Sequence, residues 1–518
     1  MTHLPVVPFL LPAITACALV LLADRPRAQR ALSVASTFAL LVACAALTVQ
    51  AADGGIVVYA MGAWPAHLGI VFVVDRLSAW MLLLTAVVGF ASLLHAVQGW
   101  DARGTHFHPL FQFQLMGLNG AFLTGDLFNL FVCFELMLIA SYCLLQHGGG
   151  GARLKAGIHY VVLNLVGSAL FLIAASLLYR VAGTLNMADL ARLLPQATPA
   201  QLPWVQAAAA LLLVVFLLKA AIAPLYLWLP GTYRVAAGPV AALFPMLTKV
   251  GAYAIVRVTT LVFAASPAAG LLHAVVLPLA VVTVAAAAFG TLASTSLKQL
   301  AAWLVLGSTA MLLVAFGQFD QSGIGAGLFY LPASTLGISA LFVLTDRIAD
   351  VRGEHGDHIC RAPRMPNAGR FAVLMLLVAM AVLGLPPLAG FVGKLLILRA
   401  AEPVPWVWGV VLGASLLQLV AVARAGVRLF WAASDEAAPG SRDAASLRRM
   451  APVIGLLGGT VLLSLFAGPV ERYVRLAAGQ VLVPKDYIEA VLGRVDAPGS
   501  LAVHAGIAES PAERTVTR

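Results

Sequence analysis

The chain has 518 residues, 61% of them hydrophobic and only 10% charged, where a soluble chain carries about 25% charged residues. That leaves too little charge to cover the surface of a soluble fold, and the expectation is an all-α polytopic membrane protein. The net charge of +10 does not mark a nucleic-acid partner. Most Lys and Arg lie in short loops between apolar runs, with no basic stripe interleaved with aromatics, and this is an orientation signal for membrane insertion.

A membrane-crossing helix needs about 20 apolar residues. In chain order the sequence offers fourteen such runs, spans 1 to 14, at 4–23, 31–51, 69–97, 108–124, 127–146, 157–180, 204–228, 238–263, 271–294, 299–317, 323–345, 370–398, 405–431 and 450–469. Span 1 has no basic segment before it and no clear cleavage site, so it reads as a retained helix and not as a signal peptide. Span 7 contains Pro224 and span 12 contains Gly384, Pro386 and Pro387, so both are expected to be broken. The five cysteines have neither paired nor metal-like spacing and read as small apolar residues.

The basic residues orient the bundle. Arg25, Arg27 and Arg30 follow span 1, Arg103 follows span 3, Arg153 and Lys155 follow span 5, and Arg234 follows span 7. Loops after even-numbered spans hold only Arg76, Arg180, Arg192 and Arg399. The odd loops are therefore expected to face the cytoplasm, with both termini extracytoplasmic. The tail after span 14 is roughly neutral and reads as a mobile extension or a partner contact. The loop 346–370 is expected to be the longest cytoplasmic connection. Its His355, Asp357, His358 and Cys360 match no standard ligand spacing and read as a solvated loop, so neither a metal nor a cofactor is expected.

Four charges lie where charge is costly. Glu135 in span 5, Lys219 in span 7, Lys249 in span 8 and Lys394 in span 12 are intramembrane ionisable residues, each costing about 2.5–3.5 kcal/mol at the bilayer centre. By helix rise, Glu135 lies about 12 Å and Lys249 about 16 Å into its helix. The reading is a buried proton relay in which Glu135 and Lys219 form a switchable pair. The alternative is a static ion pair that fixes packing. Lys219 and Lys394 both sit beside a helix break, and irregular backbone at membrane depth is tolerated where it is buried in protein or lines a wet cavity. Two breaks five spans apart predict two inverted five-helix repeats, as in inverted-repeat transporters. The expected units are 1–103 (spans 1–3), 104–263 (spans 4–8), 264–431 (spans 9–13) and 432–518 (span 14 and tail).

Weaker candidates for a secondary path are Arg257, eight residues beyond Lys249; His159, near the start of span 6; Asp126, expected to cap span 5; and Lys298, at the turn between spans 9 and 10 and expected to be a surface charge. Asp75 and Arg76 read as an interfacial pair at the start of span 3. There is no phosphate loop, nucleotide fingerprint or nucleophile triad. Gly148 to Gly151 reads as a flexible loop without the Lys/Ser context of a phosphate cradle. An enzyme or an ATP-driven pump is not expected.

The run Asn119–Glu135 (NGAFLTGDLFNLFVCFE), Lys219–Tyr233 (KAAIAPLYLWLPGTY), Thr248–Tyr253 (TKVGAY) and Gly384–Leu398 (GLPPLAGFVGKLLIL) resemble the D subunit of the Mrp-type multisubunit monovalent cation/proton antiporters, also called Mnh or Pha. The resemblance covers roughly residues 5–470. The wider superfamily includes the antiporter-like subunits of respiratory complex I, with a fourteen-helix fold. By that resemblance Glu135, Lys219, Lys249 and Lys394 match the family's proton-path positions. The implied activity is exchange of cytoplasmic Na⁺, or K⁺, for external protons, driven by the proton motive force. The implied partners are the other membrane subunits of the antiporter complex, in a bacterial inner membrane. There is one departure. The family usually carries a His, and often a Lys, in span 11, whereas Phe329–Ser339 (FYLPASTLGIS) has neither, so either Ser334, Thr335 and water bridge Lys249 and Lys394 or this link is altered. Competing readings are a proton-pumping subunit of complex I or of a membrane-bound hydrogenase, and a structural scaffold subunit.

Overall fold

The apolar runs become helices because a helix satisfies its own backbone groups where no water can. The structure, a computed structural model, describes residues 3–66, 69–432, 434–437 and 446–493. Its helices are α1 (Val7–Leu21), α2 (Pro26–Ala52), α3 (Arg76–Ala96), α4 (Phe107–Leu123), α5 (Leu127–Gln146), α6 (Gly151–Ala182), α7 (Met187–Leu193), α8 (Leu202–Lys219), α9 (Trp228–Val235), α10 (Gly238–Leu243) and α11 (Pro245–Arg257). Then come α12 (Ala269–Leu292), α13 (Leu297–Phe316), α14 (Gln321–Arg352), α15 (Ala368–Leu383), α16 (Ala389–Ala400), α17 (Trp406–Gly426), α18 (Leu447–Leu465), α19 (Ala467–Val481) and α20 (Pro484–Leu492).

Among the described residues, twelve helices are long and apolar enough to cross a membrane. The expected fourteen are not reached by that measure. Span 4 is α4, with 17 residues, and span 12 is divided into α15 and α16. Span 3 starts later than expected, because Val71–Val74 pairs as strand β2 with β1 (Val57–Ala60) in an antiparallel hairpin. The apolar run there is one β-strand followed by one helix. Span 6 starts earlier than expected, so Gly151 opens α6 and only the residues before it form the loop.

Burial grades the helices. The stretch α10–α11 and α14 are enclosed throughout, whereas α2, α6, α17 and α18 keep most of their surface outward. The enclosed helices carry Lys249, Ser334, Thr335 and Ser339, while the outward ones are richest in exposed Leu, Val and Ile. Polar side chains are therefore gathered on the axis and apolar ones face outward, as in a bundle solvated by lipid.

Three expectations about connections change. The 346–370 segment is not one loop: α14 continues through Arg352, carrying Asp346 and Arg347 inside as buried residues. Within the remaining turn, Asp357 accepts from the backbone N–H of Lys298 at 3.0 Å, and Arg352 donates to the carbonyls of His358 and Cys360. These residues fasten α14 to the start of α13. The tail after α18 also folds back: α19 packs on α14 and α3, and α20 packs on α7. The expectation for the tail beyond Gly493 lies outside the described residues.

A backbone pattern recurs in the two halves. Before α5, Leu127 N–H donates to Leu185 O at 2.9 Å and Met187 N–H to Gly125 O at 2.8 Å. Before α13, Leu297 N–H donates to Asp357 O and Ile359 N–H to Thr295 O, both at 2.9 Å. Each half thus ties the start of one span to the segment two spans away. Each half also holds one broken span: α8 ends at Lys219 and α15 ends at Leu383.

Candidate functional site

The expected breaks are where the prolines predict them. After Lys219 the chain is irregular through Pro224 until α9 begins at Trp228, and after Leu383 it is irregular through Pro386 and Pro387 until α16 begins at Ala389. Proline lacks the N–H that would continue the ladder, so carbonyls just before each break are left without helical partners. At the first break, Trp228 Nε1 donates to Leu218 O at 3.1 Å, and Thr283 Oγ1 accepts from Ala223 N–H at 2.9 Å. At the second, Lys394 Nζ donates to Leu383 O at 2.7 Å and to Ser415 Oγ at 3.2 Å. Lys394 lies in a half-open cavity of about 240 Å³ whose other walls include Gly384, Phe391, Val411 and Leu416.

Lys249 is in the most enclosed position of the four. It is 0% exposed, and its Nζ donates to Ser308 Oγ at 2.7 Å and Thr309 Oγ1 at 3.1 Å. Both acceptors are neutral hydroxyls on α13. Thr309 Oγ1 also bonds Thr248 Oγ1 at 2.9 Å, so the ammonium ends a short chain of hydroxyls. Two residues on, Gly251 lets α11 press against the first break. A Cβ there would lie 2.4 Å from Ala220 N.

Glu135 on α5 is half-buried and accepts a hydrogen bond from Ser168 Oγ of α6. Lys219 Nζ sits over the ring of Phe134, 5.5 Å from its centre, in range for a cation–π contact. Glu135 and Lys219 therefore belong to one neighbourhood, but among the described residues no direct ion pair joins them.

The weaker candidates separate. Asp126 caps α5 as expected, accepting from Asn129 N–H at 2.8 Å. His159 is exposed, two turns into α6. Ser334 and Thr335 are buried, but their hydroxyls turn back to Leu331 O at 3.1 and 2.7 Å. Beside them Tyr330 closes on Gly393, next to Lys394.

Two sequence readings are corrected. Asp75 pairs with Arg257, not with its neighbour Arg76. Arg257 Nη1 lies 2.6 Å from Asp75 Oδ2, and Arg76 instead reaches Ala52 O at 3.0 Å. Lys298 is not a surface charge. Its Nζ is mostly enclosed and lies 3.7 Å from Asp346 Oδ1.

Sequence reasoning missed the group around Asp346. Asp346 Oδ2 accepts from His95 Nε2 at 2.9 Å and from Trp100 Nε1 at 2.5 Å. A usable signal was present, since His95 and Asp346 both stand within a helical turn of an apolar run.

The chain matches the family model described as NADH:quinone oxidoreductase/Mrp antiporter, TM, over residues 124–419. That interval holds Glu135, the three lysines Lys219, Lys249 and Lys394, and both breaks. Across 95% of this chain and 97% of the relative, it is 40% identical to the D subunit of a probable K⁺/H⁺ antiporter of Rhizobium meliloti. This chain belongs to the D-subunit family of Mrp/Mnh-type monovalent cation/proton antiporters. It is also 33% identical to the D subunit of the Na⁺/H⁺ antiporter of Alkalihalophilus pseudofirmus, over 95% of this chain and 100% of that one. Its fold matches a chain in the structure of the Mrp complex from Dietzia sp. DQ12-45-1b with a TM-score of 0.85 and 27% identity, covering 95% of this chain and 100% of that one. As an antiporter D subunit it is a multi-pass membrane protein that works with other membrane subunits in a complex.

Proposed function

We propose that this subunit conducts protons for the complex, along a relay formed by Glu135, Lys219, Lys249 and Lys394, in exchange for Na⁺ or K⁺ and driven by the proton motive force. The observation that carries the reading is the setting of Lys249. It is wholly enclosed, with two neutral hydroxyls as its hydrogen-bond partners. A lysine kept as a packing device needs a carboxylate to offset its desolvation. Lys249 and Lys394 have none in ion-pair contact among the described residues. Losing a proton from either ammonium therefore breaks no ion pair, which is the property a relay requires.

The two halves act as inverted units, 104–263 and 264–431, each contributing one broken span to the relay. The recurring hydrogen bonds at Leu127 and Leu297 support that division. The units 1–103 and 432–518 flank them. With the odd-numbered loops in the cytoplasm, both termini lie outside, in a bacterial cytoplasmic membrane. The greater identity to the relative named for K⁺ makes K⁺ the first cation to test.

The test is cation-dependent collapse of a pH gradient in vesicles bearing the whole complex. Lys249→Met and Glu135→Gln, in complexes shown to assemble, are expected to lose exchange. Native exchange in either assembled variant rejects the relay.

A further inference from the structure

The group around Asp346 lies at the end of the bundle that the Lys and Arg distribution assigns to the cytoplasm. It is built from four separate segments. His95 is on α3, Trp100 just after it, Asp346 and Arg347 on α14, and Lys298 on α13. His95 is 0% exposed, and the Asp346 and Arg347 side chains are each 3% exposed. The hydrogen bonds fix the imidazole tautomer. Arg347 Nη2 donates to His95 Nδ1 at 2.9 Å, so Nδ1 carries a lone pair and Nε2 carries the proton given to Asp346 Oδ2. While Arg347 holds Nδ1, the ring cannot accept a second proton.

Arg347 has two other acceptors. Its Nη2 donates to Gln98 Oε1 at 2.6 Å and its Nη1 to Asp350 Oδ2 at 3.1 Å. Gln98 lines an open cavity of about 630 Å³ together with Arg30, Val97, Ser446 and Arg448. The cavity thus reaches His95 through one glutamine and one arginine. On the inner side, Ser92 Oγ is one turn from His95 and Thr345 Oγ1 is next to Asp346. Both are fully buried and have no hydrogen-bond partner among the described residues. Buried hydroxyls of this kind are ordinarily satisfied by internal water. Further inward on α14, Ser339 Oγ donates to Ala242 O at 2.7 Å, on the segment that leads to Lys249.

We propose that His95 and Asp346 form a proton-uptake site that feeds the buried lysines from the cavity at Gln98, with Arg347 as its latch. The inference rests on the relay reading above. When Arg347 moves fully to Asp350, Nδ1 accepts a proton from cavity water, and Nε2 releases its own to Asp346 Oδ2. One proton has then moved inward, the ring is neutral again, and Asp346 is a carboxylic acid against Gly238 at the start of α10, where a Cβ would lie 2.6 Å from Oδ2. The charged groups around His95 are Asp346, Arg347 and Asp350 from α14, Lys298 from α13, Arg103 from the turn after α3, and Arg449 from α18. Removing Arg347 lifts the block on Nδ1 and removes a neighbouring positive charge, so both changes favour proton uptake.

The experiment uses the whole complex in vesicles, with exchange measured from about pH 5 to 9, which includes the range over which a histidine changes charge (roughly pH 5 to 8). His95→Gln is expected to lower exchange at least about tenfold, as loss of a positioned proton-transfer group does. Arg347→Gln is expected to move the pH profile towards higher pH. Assembled His95→Gln complex with native rate and native pH profile overturns the proposal. If His95→Gln fails to assemble, Gln98→Ala decides, because its side chain holds the latch and not the imidazole. An altered pH profile supports the site and an unchanged one overturns it. Lys249→Met in the same vesicles separates the two ideas. Loss there with native His95→Gln exchange discards the uptake site alone, whereas native exchange in Lys249→Met discards the relay and the uptake site with it.

Discussion

The ammonium of Lys394 donates to the main-chain oxygen of Leu383 at 2.7 Å. Leu383 is the last residue of α15, so its carbonyl is free because Pro386 and Pro387 stop the helix. The break and the lysine thus satisfy one another, one offering an orphan acceptor and the other a donor. Lys394→Met removes the donor while keeping the stem. Assembled complex carrying it is expected to lose exchange by about 10²-fold or more, the effect of deleting a positioned proton carrier. It should also lose stability by about 1–3 kcal/mol for the unpaired carbonyl. Cation-dependent pH-gradient collapse reads the first effect and a thermal melt of the purified complex the second.

The first break depends on shape. The stretch after Lys219 approaches α11 so closely that a Cβ on Gly251 would be 2.4 Å from Ala220 N. The neighbour is backbone and cannot swing away. Gly251→Ala is therefore expected to destabilise by about 1–3 kcal/mol as an overpacked core does. It is also expected to reduce exchange by displacing Lys219. A melting temperature equal to that of the native complex would contradict the packing described here.

Much of this was legible in the sequence. Glu135, Lys219, Lys249 and Lys394 stand out against apolar surroundings, and proline marks the two breaks without any tertiary information. What was not legible is pairing across distant segments. Asp75 and Arg76 are neighbours in sequence, yet Asp75 caps α3 and takes Arg257 as its partner across the bundle. Lys298 reads as a turn residue until α14 is seen to continue past Asp346. Val71–Val74 has the same apolar composition as a helix, and only pairing with Val57–Ala60 makes it a strand. At the place of the missing span-11 histidine, Ser334 and Thr335 donate back to Leu331 O, which leaves their oxygen lone pairs as acceptors, as in Ser308 and Thr309 beside Lys249.

Asp75 and Arg257 form an ion pair at 2.6 Å with both side chains nearly enclosed. Tyr253 Oη lies 3.2 Å from Arg257 Nε, and the ring of Tyr487 from α20 lies 5.4 Å from the guanidinium. Removing one partner of such a pair leaves a buried charge and costs about 3–5 kcal/mol. Arg257→Gln is thus expected to destabilise strongly. The double variant Arg257→Gln with Asp75→Asn should recover a large part of the loss, because neither charge remains. A double-mutant cycle on thermal stability tests this. Additive losses would mean that the two residues are not coupled.

The pair of Arg30 with Asp101 gives a pH prediction at the opposite end of the bundle. Arg30 Nε and Nη2 donate to the two carboxylate oxygens at 2.5 and 2.9 Å, and His108 Nε2 lies 3.2 Å from Oδ2. Burial works against the charge on Asp101, but the hydrogen bonds from His108 and Arg30 outweigh it and hold the carboxyl below the usual carboxylate range. A group depressed in the folded state contributes stability above its unfolded pKa, about 3.9 for Asp, and loses it as pH falls through the lower folded value. Between pH 8 and 5 the contact is therefore fully present. Asp101→Asn is expected to lower the melting temperature at both of those pH values, with no smaller effect at pH 5 than at pH 8. The difference between native and variant complex should shrink only below about pH 4, where the carboxyl of the unfolded chain gains its proton first, and is lost once pH falls through the lower value of the native carboxyl. A difference that already shrinks between pH 8 and 5 would place the carboxyl in a raised range and contradict the arrangement around it.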